Sequence, residues 1–107
     1  MTTLPADRLD QVLKRYELLE AQMAAGVEPD AYVRMASEYA ELQEMADKIR
    51  ALRKAESDRS GAEAMLADAS TDREMRELAE AERDEADERI AGQHAALNGM
   101  DGKLVEP

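Results

Sequence analysis

Apolar residues in the first quarter of the chain recur at steps of three and four: Leu9, Val12, Leu13, Tyr16, Leu19 and Met23. That spacing draws a single stripe along a helix and predicts one over about residues 4–25. Pro5 suits the first turn, where its missing N–H has no partner to lose. Gly26 sits where a left-handed residue would stop the helix, and Pro29 blocks its continuation. A second stripe then runs through Tyr32, Met35, Tyr39, Leu42, Met45 or Ala46, Ile49 and Leu52, and weakens through Ala55, Arg59, Ala62, Met65 and Leu66. It predicts a helix over 30–67, about 57 Å long at 1.5 Å per residue. Gly61 lies inside it and should cost about 1 kcal/mol relative to Ala, marking a local weak point.

The "ADAST" stretch reads as a turn, with Thr71 and Glu74 spaced as a capping box and Asp72 favourably placed against the helix dipole. A third helix is predicted over 71–97 with a thin stripe: Met75, Leu78, Ala79, Glu82, Ala86, Ile90 and Leu97. So thin a stripe holds only against a neighbouring helix. The expected fold is all-α, a short first helix packed on a long antiparallel helical hairpin with its tip at 67–70. This coiled-coil-like three-helix module would occupy one domain over 1–93, with 98–107 as a tail beyond the end of order.

Composition sharpens this picture. Three Tyr are the only aromatics and there is no Phe, Trp or Cys, so the seams must be filled by Leu, Met, Ile and Ala. A narrow zipper fits better than a thick core. A net charge of −11 disfavours general attraction to phosphate backbones and favours basic protein partners. Without Cys there is no disulfide scaffold and no thiolate metal site. No apolar run reaches the ~18 residues of a membrane span, and "MTTLPADRLDQ" lacks a signal peptide's basic start and apolar stretch. Cytoplasm is the expected compartment, with no membrane partner.

No catalytic motif appears. Phosphate-cradling glycine loops and nucleophile elbows are missing. The single histidine, His94, has no H-x-x-x-H companion and reads as an exposed residue near a fraying helix end. The numerous acids need no catalytic role on a solvated helix, since no pocket-forming sequence accompanies them. The chain is expected to be no enzyme and to hold no cofactor or metal. One cluster stands out: "KIRALRKAESDR" places Lys48, Arg50, Arg53, Lys54 and Arg59 within twelve residues. It is either a solvated face paired with neighbouring acids such as Asp47 and Glu56, or a patch that contacts an acidic partner or a phosphate backbone. The acidic run from Asp72 to Glu88 offers the same choice between a solvated face and a docking surface for a basic ribosomal or translational protein.

Two stretches go beyond generic helix. "ASEYAELQEMADKIR" carries Ser37, Glu38, Tyr39, Ala40 and Leu42, and "DREMRELAEAERDEADERI" carries Asp72, Glu74, Met75, Arg76, Leu78, Ala79 and Glu82. In order and spacing they resemble the N-terminal helical domain of bacterial class I peptide chain release factors, of the release factor 1 type. The resemblance covers about Leu9 to Gln93. It implies a non-catalytic domain of translation termination that contacts the ribosome near the large-subunit stalk-base protein and influences the recycling GTPase release factor. The codon-reading and GGQ domains of that family have no counterpart in this chain, and "AGQH" at 91–94 is not that tripeptide. After Gln93 the sequence leaves the family pattern, as a truncated product, a degenerate gene's product or a stand-alone relative of the first domain would.

A second reading, of another class, is a generic helical scaffold or homodimer in which a second copy completes the thin third-helix seam. A third, an acidic mimic of nucleic acid, is diluted by the interspersed arginines.

Overall fold

The computed structural model describes residues 4–101. Among them it contains three helices: α1 (Ala6–Ala25), α2 (Pro29–Ala67) and α3 (Arg73–Asp101). The expected fold class is the observed one: all-α, a short helix on a longer helical pair.

The punctuation follows the sequence closely. Pro5 takes the N-cap position of α1 with φ −62°. Gly26 ends that helix at φ +94°, where an L side chain would be strained, and its N–H bonds to the Met23 carbonyl at 3.3 Å. Pro29 does more than block read-through. It opens α2 as the first helical residue, which its fixed φ suits. The helix then runs unbroken through Gly61.

Both α1 and α3 pack on α2, and among the described residues their backbones do not approach one another. The middle helix is therefore clothed on two sides, in a slab of 60 × 33 × 17 Å. The main cluster joins Leu9, Val12, Tyr16 and Leu19 of α1 to Leu42, Met45, Ala46, Ile49 and Leu52 of α2, and Leu97 of α3 closes it. Met45 and Ala46 are both buried, so the stripe takes both of the two alternatives.

Towards the tip the seam changes character. Ala55 and Ala62 of α2 and Ala79 and Ala86 of α3 are all buried, each pair one heptad apart on its helix. With nothing beyond Cβ in the way, the two helices can lie close together.

Three expectations need correction. Leu78 and Met75 belong to the expected α3 stripe but are 58% and 41% exposed. Ala79, also in the expected stripe and 100° further round the helix than Leu78, does lie in the seam. Tyr32 likewise leaves the α2 stripe and is exposed. Residues 98–101, expected to lie in the tail, continue α3 to Asp101, with Leu97 buried and Met100 packed against the cluster. The rest of that tail, 102–107, lies outside the described residues.

Candidate partner-binding site

The two signature stretches each fasten one pair of helices. In the first, Arg15 of α1 donates from Nε and Nη2 to the two Glu38 oxygens of α2, both at 2.7 Å. That bidentate grip holds the Glu38 carboxyl below its ordinary range. The hydrogen bond from Arg15 is the chief cause, and its charge adds while burial opposes. Tyr39 stacks on Tyr16 with ring centroids 4.3 Å apart, and its hydroxyl donates to Glu20 at 3.2 Å. Hydrogen bonding with Tyr16, then burial, then Glu20 push the Tyr39 phenol upward. Leu42 completes the set from within the core.

The second stretch builds the hairpin tip. Asp72 accepts the Met75 N–H at 2.9 Å, the geometry of an N-cap. The expected capping box at Thr71 and Glu74 is thus displaced by one residue. Thr71 instead turns its hydroxyl back to the Met65 carbonyl at 2.7 Å. Arg76 donates to the carbonyls of Leu66 and Asp68 at 2.8 and 3.1 Å. Between them, Thr71 and Arg76 satisfy carbonyls that α2 leaves open at its end. Ser70 donates from its backbone N–H and hydroxyl to Asp68. The hydroxyl first, then the N–H, hold the Asp68 carboxyl below its ordinary range.

These stretches lie inside a longer likeness: residues 12–100 match the PCRF domain. The chain belongs to the PCRF-domain family. It is 49% identical over 90 residues to "Peptide chain release factor 1" of Rhizobium rhizogenes, an alignment covering 84% of this chain and 25% of that protein. The chain therefore spans about a quarter of the length of this relative. No solved structure matches it. The PCRF match runs on past Gln93 to residue 100, so the chain stays with the family further than its sequence suggested. Physically, the family stretches of this PCRF domain are helix fastenings: Glu38 and Tyr39 tie α1 to α2, and Arg76 and Ala79 tie α3 to α2.

The basic run of the PCRF domain does not form one free face. Arg50 reaches Glu17 at 3.3 Å, its guanidinium carbon 5.4 Å from the Tyr16 ring centre. Arg53 reaches Asp10 at 2.7 Å, and these two hold α1. Arg59 points the other way and holds Asp87 of α3 at 2.5 Å. Lys54 pairs within α2 with Asp58 at 3.0 Å. Lys48 is half-buried and makes no ion pair with a described residue. Sequence adjacency gathered these five, and tertiary pairing sends the three arginines to two neighbouring helices.

His94 also differs from expectation. It is half-buried in α3, and its Nδ1, like Gln93 Oε1, is buried with no hydrogen-bond partner among the described residues. Among the described residues no three His, Cys, Asp or Glu groups cluster as metal holders, and no helix is long and apolar enough to cross a membrane. An open groove lined by Glu56, Arg59, Ser60, Glu63, Asp87 and Ile90 mixes charges without the enclosed apolar walls of a small-molecule site.

What sequence reasoning missed is the exposed pair Met75 and Leu78. The available signal was the heptad from Ala79 to Ala86, which once chosen as the seam turns both larger side chains outward.

Proposed function

We propose that this PCRF domain is a non-catalytic helical arm of a translation termination factor, and that it meets a protein surface near the stalk base of the large ribosomal subunit. The observation that carries this is the 49% identity, over 84% of the chain, to a protein named peptide chain release factor 1. The recycling GTPase release factor is the second partner of this reading, and the cytoplasm its compartment.

The chemistry supports a binding arm. Of the signature residues, Glu38, Tyr39, Leu42, Asp72, Arg76 and Ala79 are occupied in holding or capping helices, while Glu74, Met75, Leu78 and Glu82 lie on the outer face, and no group is placed to attack a bond. A charge of −11 favours a basic protein surface over ribosomal RNA. The exception is the run Lys48, Arg50, Arg53, Lys54 and Arg59, which we retain as a contact for an acidic group. Lys54, whose side chain is 75% exposed, leads it with Lys48. The arginines' exposed pairs are individually weak and can exchange for a partner's charge. A second copy is not needed to complete the α3 seam, because Ala55 and Ala62 close it within one chain.

Sedimentation with purified large ribosomal subunits at low salt tests the proposal. The chain should pellet with the subunits, less so when the stalk-base protein has been stripped. It should release no peptide from ribosomes halted at a stop codon. A chain left wholly in the supernatant at low salt ends this reading.

A further inference from the structure

The tip of the α2–α3 hairpin has two unlike flanks. On one, Arg59 holds Asp87 and Arg83 reaches Glu63 at 3.7 Å, so ion pairs cross the seam. The other can be traced by helical spacing. Leu78, Glu85 and Arg89 stand seven and eleven residues apart on one stripe of α3. Arg89 crosses to Asp58 of α2 at 3.4 Å, and Asp58, Gly61 and Met65 form the matching stripe. Beyond the Asp58–Arg89 pair, among the described residues, no ion pair crosses this flank.

Large apolar side chains emerge there. Leu78 and Met75 are 58% and 41% exposed, Met65 is half-buried, and Gly61 leaves open space where a side chain would stand. The acids around them are specific in placement. Glu74 and Glu82 lie one turn before and one turn after Leu78, and neither carboxylate has an ion pair or hydrogen bond with a described residue. An apolar anchor between two unneutralised carboxylates repels nucleic acid and anionic lipid. Its complement is an apolar stripe bordered by Lys or Arg. Methionines suit such a surface because they repack around differing partners.

We propose that this flank docks a basic amphipathic helix of a protein partner. Met65, Met75 and Leu78 take the helix's apolar stripe, and Glu74 and Glu82 take its cations. The proposal rests on the reading of the chain as a protein-binding arm and names the surface that does the binding.

The full chain, labelled with 13C-methyl methionine, is titrated with a designed leucine–lysine peptide carrying Leu at helical i, i+3, i+4 and i+7 spacing. A scrambled peptide of the same composition is the control. Shifts should appear at Met65 and Met75 and not at buried Met45. The double substitution Met75→Ser, Leu78→Ser should weaken binding at least about tenfold. Leu18→Ser, at an equally exposed position on α1, should leave it unchanged. Circular dichroism of each variant checks that the helices persist.

Unchanged affinity of the double variant overturns the proposal, as does an equal response to the scrambled peptide. Concentration-dependent shifts at the same methyls without peptide also overturn it, assigning the face to a second copy, and so does competition there by polyuridylate. Sedimentation separates this proposal from the functional reading. A double variant that still pellets with ribosomal subunits excludes this flank while the termination reading stands. An unsubstituted chain that binds the peptide but not the subunits preserves the flank and removes the ribosomal role.

Discussion

Glu38 shows how much of this molecule rests on single pairs between helices. Its carboxyl is held below the ordinary range chiefly by the Arg15 hydrogen bonds. The pair's contribution is therefore complete above the unfolded carboxylate range and is lost as pH falls through the lower folded value. Both side chains are more than a third exposed, so solvent screening keeps the effect small. Glu38→Gln should cost under about 1 kcal/mol at neutral pH, and urea unfolding repeated in acid should show that gap closing. A gap that persists once the carboxylate is protonated would assign the loss to something other than the ion pair. Asp72 makes the second case. Asp72→Ala removes the acceptor for the Met75 N–H and should cost about 1 kcal/mol, whereas Glu74→Ala should stay within about 0.5 kcal/mol. Equal losses would restore the capping box that the sequence suggested.

At the scale of elements, the sharpest contrast lies between two neighbours in α2. A Cβ at Gly61 meets nothing within 4 Å, so Gly61→Ala should stabilise the helix by about 1 kcal/mol. Ala62, next in the chain, is 2% exposed in the alanine seam, and Ala62→Leu should cost about 1–3 kcal/mol by forcing the helices apart. Thermal unfolding followed by circular dichroism should show opposite signs, and two changes of the same sign would contradict the seam described. The three helices and their breaks were legible because Leu, Met and Tyr keep a 3.6 period and Gly26 and Pro29 interrupt it. The α3 seam was legible only in part: Ala79, Ala86 and Leu97 of its expected stripe are buried, whereas Met75 and Leu78 are not. Where alanine makes the contact, the larger side chain at the next position looks like the buried one, and Leu78 was misplaced for that reason. Likewise Lys48 to Arg59 read as a cluster, yet Arg50, Arg53 and Arg59 find acids 33, 43 and 28 residues away. Spacing along the chain carries no information on such pairings.

For the whole molecule, shape follows from α2 being flanked on two sides instead of wrapped. The Cα radius of gyration is 18.3 Å, against about 13 Å for a compact chain of this length. Large side chains are gathered where α1, the first half of α2 and the end of α3 meet, while the tip is joined by alanines and a few exposed charges. Burial of apolar area therefore falls along the long axis, and with it the free energy needed to open a backbone hydrogen bond. Amide exchange should be slowest around Ile49 and Leu19 and should quicken towards Ala62 and Ala79. Uniform rates from end to end would mean that the slab opens only as one unit. With a gradient, the slab opens first at the α2–α3 tip and last where α1, α2 and the end of α3 meet.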